Sequence, residues 1–552
     1  MPKYIFISGG VISGLGKGIT TATIGLLLKS YGFKVSTAKV DMYLNIDAGT
    51  MNPLEHGEVF VTADGAETDQ DLGHYERFLN QNLSGENYFT MGQIYKSVLN
   101  KERALAYKGK CVEGNIHIPA EIINKIESIQ KKDKAEILLI EVGGTVGEYQ
   151  NILFFEAIRR FKQKNPNDVA LIHVVYLPIP SFLGEMKSKP AQASIYDLYR
   201  LGLQPDFIIC RSHTTIDDKR RQTIAFNTGI KKENIIAAPD VDTIYRVPLL
   251  LEKQALTKKI LKTLNLKPRK KSLKQWQDFI ARIDRVKKEV KIAIVGKYFS
   301  SGNFALEDSY VCVIEAIKHA AWQLGINPKI QWFDSEKMED KKQVAQIQKE
   351  LQTYQGIIVP QGWGSRGVEG KIKTIRLARE KKIPYLGLCF GMQMAVIEFS
   401  RNVLKLKNAN STEINPKTPH PVIHIIPEQE KYLKKHQYGG TIRLGQWPCK
   451  IKKDTILSKV YGKKIVFERH RHRYEVNNAY RDPLEKKGMV ISGVSSDKML
   501  VETIELRQKD HPFFVGTQFH PEYQSRPLSP HPLFVAFIKA ALRKNSSAKK
   551  SG

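Results

Sequence analysis

Residues 387–391 read Gly387-Leu388-Cys389-Phe390-Gly391, a cysteine framed by two glycines. A short apolar run, residues 383–388, leads into this stretch, and an amphipathic run, residues 392–404, follows it, which predicts a strand, a tight turn and a helix. This is the arrangement of the nucleophile elbow in G-x-S-x-G hydrolases, with cysteine in place of serine. The glycines permit a strained turn, and a helix N-terminus favours a thiolate. We therefore predict that Cys389 is a nucleophile rather than a buried core thiol.

A catalytic cysteine also needs a base and a group that orients the base. The stretch Thr517-Gln518-Phe519-His520-Pro521-Glu522-Tyr523 supplies both, because on a strand His520 and Glu522 would share one face. G-L-C-F-G and F-H-P-E together resemble a class I (triad) glutamine amidotransferase. In that family the cysteine attacks the side-chain amide of glutamine and releases ammonia. The resemblance makes Cys389 the nucleophile, His520 the base and Glu522 its orienter.

The composition is that of a soluble globular protein. The chain has 552 residues, of which 42% are hydrophobic and 26% charged, and it contains no apolar run long enough to span a membrane. It starts directly with a strand pattern, which predicts no signal peptide. Its five cysteines are widely spaced without a C-x-x-C pair, which disfavours disulfides and zinc and favours a reducing cytoplasm.

The formal net charge of +30 raises the question of nucleic acid binding. The lysines are spread along the chain, and no aromatic-studded RNA or DNA module accompanies them. We therefore predict no nucleic acid partner and interpret the charge as a lysine-rich surface on a protein that handles polyanionic small molecules.

The amino-terminal end has the pattern of a phosphate-binding loop. A buried strand is predicted over residues 3–8, followed by a glycine-rich loop through Thr20 that contains Lys17, and by a helix that ends at Ser30. Backbone N–H groups, a helix N-terminus and a lysine are what a phosphate needs. The spacing is not a regular G-x-x-x-x-G-K-[ST], since Gly18 follows the lysine, and a turn without a ligand is the alternative.

Acidic and basic residues follow at the ends of further predicted strands. Residues 64–78 are dense in carboxylates, and Glu141 ends a predicted strand beside two glycines, as a hard divalent cation requires. Lys187 and Lys189 flank a serine in a Pro-bounded loop that could hold a triphosphate, although such a loop is often plain surface. Strands and helices alternate throughout, which predicts doubly wound α/β sheets.

The order of these motifs carries a closer resemblance. Y-I-F-I-S-G-G-V-I-S-G-L-G-K-G-I, H-G-E-V-F-V, D-L-G-H-Y-E-R-F, E-V-G-G-T-V-G and K-S-K-P-A-Q, joined to the glutaminase motifs, resemble the CTP synthase family over nearly the whole chain. The resemblance implies two doubly wound domains, a P-loop-like amidoligase domain and a class I glutamine amidotransferase domain. We predict a synthetase domain over residues 1–265, a basic interdomain linker with a short helix over 266–289, an amidotransferase domain over 290–544 and a disordered tail over 545–552.

The resemblance also implies the reaction: ATP phosphorylates the 4-oxygen of the uracil ring of UTP, and ammonia from L-glutamine then displaces phosphate to give CTP. Magnesium would be held by Asp71 and Glu141, with Lys39 close by, and His56 and Val59 resemble positions that line an ammonia passage. The implied ATP-binding residues are Gly14, Leu15, Gly16, Lys17, Gly18, Ile19, Asp71, Asp240 and Val241. The implied UTP- or CTP-binding residues are Ser13, Glu148, Tyr149, Gln150, Lys187, Ser188, Lys189, Pro190, Ala191, Gln192 and Thr223. The implied glutamine-binding residues are Gly362, Phe390, Gly391, Met392, Gln393, Glu413 and Arg473.

The family further implies GTP as an activator, CTP as a feedback inhibitor, a homotetramer and a cytoplasmic location without a membrane partner. The chain departs from the family pattern at several positions. Gln361 and Trp363 stand where the turn usually has glycine and phenylalanine, Gln150 replaces an acidic residue near the inhibitory CTP pocket, and Thr223 replaces a lysine for which Arg220 or Arg221 could compensate.

Two other functions are compatible with parts of the pattern. One is a different glutamine-dependent amidoligase, such as a relative of cobyric acid synthase, which the Lys187 to Pro190 loop and the H-G-E-V-F-V block disfavour. The other is a filament-forming scaffold that has lost activity, which the intact Cys389, Lys17 and Glu141 disfavour. The R-H-R-H-R run at residues 469–473 could bind a metal through its histidines, but the alternating arginines disfavour a cation there.

Overall fold

The computed structural model describes residues 1–10, 12–270, 272–297, 300–301, 304–305, 307–435 and 439–548. Val11 of the predicted phosphate loop and residues 549–552 of the predicted tail lie outside the described residues. The strands are β1 (Lys3–Gly9), β2 (Val35–Asp41), β3 (Phe60–Val61), β4 (Glu67–Thr68), β5 (Tyr88–Thr90), β6 (Ile137–Val142), β7 (Val169–Tyr176), β8 (Phe207–Ser212), β9 (Ile235–Pro239), β10 (Lys288–Gly296), β11 (Ser300–Ser301), β12 (Phe304–Ala305), β13 (Ile326–Asp334), β14 (Gly356–Val359), β15 (Tyr385–Leu388), β16 (Asn410–Ser411), β17 (Pro421–Ile425), β18 (Arg443–Ile451), β19 (Ile465–His472), β20 (Tyr474–Val476), β21 (Met489–Ser495), β22 (Val501–Leu506) and β23 (Phe514–Thr517).

Helices alternate with these strands along the chain. They are α1 (Lys17–Ser30), α2 (Pro53–His56), α3 (Asp71–Leu79), α4 (Met91–Arg103), α5 (Gly114–Asp133), α6 (Ile152–Lys164), α7 (Lys189–Arg200), α8 (Asp218–Thr228), α9 (Val247–Lys253), α10 (Leu256–Thr263), α11 (Lys274–Asp284), α12 (Val311–Gln323), α13 (Val344–Leu351), α14 (Val368–Glu380), α15 (Phe390–Asn402), α16 (Glu430–Lys434), α17 (Ile456–Tyr461), α18 (Arg481–Lys486) and α19 (Pro532–Ala548). Among the residues listed above as described, none of these helices is both long and apolar enough to cross a membrane.

The chain divides into two units. The first comprises residues 1–47 and 71–280. Its sheet has the order β5-β2-β6-β1-β7-β8-β9, and every neighbouring pair is parallel. The strands read as continuous apolar runs, such as I-L-L-I-E-V in β6, because helices cover both faces of a parallel sheet. The carboxyl ends of β1, β2 and β6 therefore meet at one edge, where α1 begins.

The basic segment between the predicted domains contains helix α11, as the sequence predicted. Trp276 on this helix is buried, packs against Phe78 and donates its indole N–H to the carbonyl oxygen of Tyr245 at 2.9 Å. The apolar face of α11 thus belongs to the packing of the first unit, even though its sequence is rich in lysine and arginine. Strand β10 then starts at Lys288, two residues before the predicted restart.

The second unit comprises residues 48–70 and 281–552. Its main sheet has the order β13-β10-β14-β15-β23-β22-β21-β18-β19. The pairs from β13 to β23 are parallel, and the pairs from β23 to β19 are antiparallel. Helices α14 and α15 pack on one side of the parallel part, and α12 and α19 contribute to a second apolar cluster.

The observed division differs from the predicted domains at two places. Residues 48–70 lie within the predicted synthetase domain, yet they pack with the second unit, because their backbone and side chains bond to residues of β18, β19 and α12. Helix α19 runs to Ala548, so that residues 545–548 of the predicted disordered tail are helical. The first difference arises from contacts between segments that are distant in the sequence.

Candidate functional site

Cys389 lies at the point where β15 ends and α15 begins, and its backbone has the strained conformation φ 51°, ψ −100°. Its N–H donates to the carbonyl oxygen of Thr517 on the neighbouring strand at 2.6 Å. A Cβ atom at Gly391 would lie 2.0 Å from the carbonyl oxygen of Val359, so only glycine allows α15 to approach β14 this closely. The predicted elbow is present, and the thiol lies at the first turn of a helix.

His520 and Glu522 form the expected pair, but not on a strand. Strand β23 ends at Thr517, and Pro521 opens a short 3-10 turn that contains Glu522. The prediction that the two side chains share a strand face is therefore wrong, since proline at 521 starts a helical turn instead. The turn nevertheless brings His520 Nδ1 to 2.7 Å from Glu522 Oε1, and both side chains are buried.

The imidazole of His520 is held in its charged form. Burial alone would lower the pKa of His520, but the carboxylate of Glu522 and the thiolate of Cys389 outweigh burial and raise the pKa to about 10. Its Nε2 atom makes no hydrogen bond with regular geometry to any described residue, although the thiolate is near enough to affect its charge. The thiol and the imidazole are thus close enough to interact but lack the alignment of a hydrogen bond, as catalytic pairs without substrate often do.

The turn that follows β14 presents N–H groups beside the thiol. Tyr310 donates its hydroxyl to the carbonyl oxygen of Gln361 at 3.2 Å, and the Lys297 ammonium donates to the carbonyl oxygens of Trp363 and of Gly364, the latter at 3.1 Å. These hydrogen bonds fix the carbonyl oxygens of the turn. The N–H groups of Gly362 and Trp363 have no acceptor among the residues that the structure describes. The turn can thus supply oxyanion donors.

A cavity of about 310 Å³ opens beside this turn. Glu413 and Arg473 both line the cavity, together with Trp363 and Arg471. Burial raises the pKa of Glu413, whose Oε1 accepts the N–H of Gly364 at 2.7 Å. A carboxylate and a guanidinium in one small cavity match the ammonium and carboxylate groups of a free amino acid.

Residues 48–70 contribute to the wall of the same cavity through Gly49, Thr50, Met51 and Pro53. Glu67 accepts a hydrogen bond from Arg471 Nε at 2.8 Å, and Tyr523, which stacks on His520 at a ring-centroid distance of 4.9 Å, donates its hydroxyl to the carbonyl oxygen of Val59 at 3.0 Å. The triad and the cavity are therefore both tied to this segment within the second unit.

The first unit carries the second group of predicted residues. Lys17 starts α1, is buried and donates from Nζ to the carbonyl oxygen of Gly144 at 2.7 Å. Burial lowers the pKa of Lys17, and the nearby carboxylate of Glu141 opposes this effect. Gly14 and Gly16 have positive φ, 73° and 81°, so the loop uses conformations that favour glycine. A lysine at a helix N-terminus behind such a loop is suited to bind phosphate.

The predicted metal ligands meet at the same edge of the sheet. The Lys39 ammonium bonds to Asp71 and lies 3.1 Å from Glu141 Oε1, while the Tyr75 hydroxyl bonds to the other oxygen of Glu141. Burial and the charge of Asp71 raise the pKa of Glu141 to about 7. The buried carboxylate of Glu141 and the half-buried carboxylate of Asp71 form a donor set that fits a hard divalent cation.

Family models and similar proteins show which family the chain belongs to. The model of the CTP synthase N-terminus matches residues 3–266, and the model of the class-I glutamine amidotransferase matches residues 305–540. A CTP synthase of Caldanaerobacter subterraneus subsp. tengcongensis is 49% identical over 543 residues, which are 98% of this chain and 98% of that protein. The chain belongs to the CTP synthase family. A CTP synthase of Synechococcus sp. is 47% identical over 547 residues, 99% of this chain and 98% of that protein.

Among solved structures, the glutaminase domain of Trypanosoma brucei CTPS with bound acivicin is 38% identical, with a TM-score of 0.42, and the match covers 46% of this chain and 94% of that chain. The predicted CTP synthase family, the glutamine-dependent ligase class and the α/β fold with two family domains are thus confirmed.

The residues that the CTP synthase pattern assigns to UTP lie around the start of α7. Lys187 pairs with Glu185 at 2.7 Å, and Gln192 donates to the Ser188 hydroxyl at 3.0 Å. Ser13 and Lys189 are exposed, Pro190 is half-buried in the first turn of α7, and the side chain of Ala191 packs in the core, so that only its backbone faces outward. Residues 187–192 thus span the start of α7.

Thr223 occupies the position at which the CTP synthase family usually has a lysine, and it carries no charge. It is exposed on α8, and its hydroxyl donates to the backbone carbonyl of Lys219. Arg220 is one of the two arginines that could compensate for this lysine. It donates to Glu185 at 2.6 Å and to the carbonyl oxygen of Met186 at 3.2 Å. It therefore lies against the loop of Lys187, where a cation is expected.

The remaining nucleotide residues lie at the rim of the first unit. Asp240 is exposed and accepts from Arg211 at 2.8 Å, while Val241 is half-buried. Glu148 accepts the N–H of Thr145 at 2.8 Å and the side-chain amide of Gln150 at 2.8 Å. Leu15 is buried in the loop, Ile19 is half-buried on α1, and Tyr149 is 91% exposed.

The glutamine set is brought together only in part. Phe390 lies under the ammonium groups of Lys297 and Lys371, 5.1 and 5.0 Å from its ring centroid. The side chain of Met392 packs in the core against Gly516, so a contact between Met392 and glutamine is limited to its backbone. Gln393 donates its amide to the carbonyl oxygen of Tyr474 at 2.9 Å.

Several residues of the site were not predicted. Lys297 and Lys371 lie behind the turn, and burial lowers the pKa of Lys297 to about 8 and that of the fully buried Lys371 well below its usual value. Glu67 and Tyr75 fall inside motifs that the sequence singled out, but nothing in their spacing shows which neighbour they face. Lys371 lies in a helical pattern with many lysines, where no sequence signal separates it from surface.

Proposed function

We propose that the protein converts UTP to CTP, using ATP to activate the uracil ring and glutamine as the source of ammonia. The observation that carries the proposal is that both reaction centres are intact in one chain of the CTP synthase family: the Cys389, His520 and Glu522 group in the second unit and the Lys17, Asp71 and Glu141 group in the first. A scaffold without activity would not need to keep either set of buried charges.

In the glutaminase reaction, glutamine binds with its amino-acid end between Glu413 and Arg473, which line one cavity. The Cys389 thiolate attacks the side-chain carbonyl carbon, and the N–H groups of the turn at Gly362 and Trp363 stabilise the oxyanion. His520 carries the proton that ammonia needs as it leaves, because Glu522 keeps the imidazole charged. Water then releases glutamate from the cysteine with His520 as the base.

In the synthetase reaction, the loop of Gly14 to Gly18 and the Lys17 ammonium bind ATP phosphates, and the surface around Lys187 binds UTP. The 4-oxygen of UTP attacks the γ-phosphate, ADP leaves, and ammonia then replaces the phosphate at that carbon. Asp71 and Glu141 would hold magnesium, which offsets the phosphate charge when it is bound. Lys39 lies against both carboxylates and would have to move aside or share them with the cation.

The proposal includes finer points that follow from the family. We propose GTP as an activator, CTP as a feedback inhibitor, a homotetramer and a cytoplasmic location. Because Gln150 carries no charge, and Thr223 is turned to its own helix, we expect CTP to inhibit less strongly than it does when an acidic residue and a lysine occupy these positions. This expectation rests on charge alone.

The decisive experiment is a substrate assay with each nitrogen source. Purified protein is incubated with ATP, magnesium and UTP, together with either ammonium chloride or glutamine, and CTP is measured by chromatography. We expect CTP from both nitrogen sources. A preparation that is folded but makes no CTP from either source would overturn the proposal, and amination of a different acceptor would favour another amidoligase.

A further inference from the structure

Gln518 follows strand β23 directly and lies next to the nucleophile. Its side chain is fully buried, and its backbone N–H donates to the carbonyl oxygen of Glu502 at 2.8 Å, which fixes its position on the sheet. Its Nε2 atom lies 3.5 Å from Cys389 Sγ, a normal distance for an N–H···S hydrogen bond. The mechanism derived above does not use this contact.

The neighbours of Gln518 determine which end of its amide faces the sulfur. The carbonyl oxygen of Tyr474 can only accept, and it receives the Nε2 group of Gln393 at 2.9 Å and Nδ1 of His472 at 2.9 Å. The amide nitrogen of Gln393 therefore lies on this side, and from there it also lies 3.2 Å from Oε1 of Gln518. With its oxygen facing a donor, Gln518 must present its NH₂ group to Cys389.

A second neighbour of the sulfur cannot stabilise a negative charge. The carbonyl oxygen of Arg471 lies 3.8 Å from Cys389 Sγ and accepts a hydrogen bond only from the neutral thiol. When the thiol loses its proton, this contact becomes a repulsion between two electron-rich atoms. The Gln518 amide is a donor that can then hold the thiolate, in addition to the charge of the His520 imidazolium.

Resting on the proposed glutaminase function, we propose that Gln518 is a further residue of the glutaminase centre, which donates a hydrogen bond to the Cys389 thiolate and holds the sulfur in its reactive orientation. The orientation of Gln518 is in turn set by Gln393 through the shared carbonyl of Tyr474. Gln393 thus has a structural task in addition to the contact with glutamine that the family pattern implies.

The test compares Gln518→Leu and Gln518→Glu with the parent protein in a Cys111→Ser background. Cys111 is exposed, whereas Cys389, Cys210, Cys312 and Cys449 are all buried, so the alkylation of Cys389 by iodoacetamide is followed by mass spectrometry of the peptide that contains it. The rate of alkylation is measured between about pH 6 and about pH 10, because only the thiolate reacts. Gln446→Leu is the matched control, since Gln446 is exposed on β18 and its amide donates to the carbonyl oxygen of Phe467, away from the nucleophile's own contacts.

We expect both Gln518 variants to react more slowly at neutral pH, with the midpoint of their alkylation profile shifted to higher pH. We also expect kcat/KM for glutamine to fall by about tenfold to a hundredfold, the value of one hydrogen bond to a charged group. CTP formation from ammonium chloride and the melting temperature should stay close to those of the parent. Gln446→Leu should match the parent in every measurement.

An unchanged alkylation profile and a kcat/KM within twofold of the parent in either variant would overturn the proposal, because a side chain that only fills space would give this result. Glutamate has the shape of glutamine, so an unchanged profile in Gln518→Glu still overturns the proposal if Gln518→Leu folds poorly. Failure of the proposed function would look different, since the parent protein itself would make no CTP from ammonium chloride.

Discussion

Glu67 and Arg471 are 404 residues apart in the sequence, yet Arg471 Nε lies 2.8 Å from Glu67 Oε1 in a buried ion pair. Both side chains line the cavity that contains Glu413 and Arg473. A Cβ atom at Gly49 would lie 2.1 Å from Glu67 Oε2, so the segment around Gly49 must pack closely over this pair. A short amino-terminal segment is thus part of the candidate glutamine cavity.

We expect Glu67→Ala to raise the KM for glutamine about tenfold and to destabilise the second unit by about 3 kcal/mol, since it leaves the Arg471 guanidinium buried without its partner. The measurements are glutaminase kinetics and thermal unfolding. Glu369→Ala is the control, because Glu369 is 53% exposed in its pair with Arg401 and should cost less than about 1 kcal/mol. Equal effects of the two substitutions would contradict the role assigned to Glu67.

Cys389→Ala should abolish CTP formation from glutamine and preserve CTP formation from ammonium chloride, because it removes the nucleophile without touching the first unit. The rates with the two nitrogen sources check this directly. Loss of both activities in a folded variant would mean that the two reactions share residues, which would contradict their assignment to separate groups.

The His520–Glu522 pair predicts a pH-dependent contribution to stability. The pKa of His520 is raised to about 10, so the stability from its charged form is complete below the unfolded value near 6.5 and is lost as the pH rises through about 10. We expect Glu522→Gln to lower the melting temperature most near pH 6 and progressively less toward pH 10. A difference between the two proteins that grows with pH would have the wrong sign and would exclude the charged imidazole.

Gly18→Ala should stop CTP formation from either nitrogen source and leave basal glutaminase activity intact. The added Cβ atom would lie 2.0 Å from Asp71 Oδ1, so the candidate metal ligand and the phosphate loop cannot both keep their places. Gly147→Ala is the matched control in the same unit, because a Cβ atom there meets nothing within 4 Å. If Gly18→Ala makes CTP at the rate of Gly147→Ala, the loop is not the site of phosphate transfer.

Much of the candidate site could be predicted from local sequence. The elbow at Cys389 follows from a strand, two glycines and a helix in direct succession, and the start of α1 at Lys17 follows from the loop before it. The pair of His520 and Glu522 was expected on a strand and instead forms across a proline-initiated turn. The two side chains still meet, because the residues are so near in sequence that either conformation brings them together.

Contacts between distant segments could not be predicted. The sequence shows Gln361 only as a departure from the glycine that is usual at this position. In the structure its amide donates to Glu58 Oε1 at 2.8 Å, and the other oxygen of Glu58 accepts the N–H of Cys312 at 2.7 Å. The packing of residues 48–70 with the second unit likewise has no local signal, since strand pattern and spacing do not show which sheet a segment joins.

The sequence by itself determined the family and the alternation of strands and helices, and it predicted the nucleophile, the base and the phosphate-binding loop, because short-range spacing and backbone preference control all of these. Only the tertiary structure decided that Gln518 faces the sulfur, that Lys371 is buried and that Glu67 pairs with Arg471. The direction and burial of a side chain depend on what packs against it, and the packing partners come from parts of the chain that the local pattern does not connect.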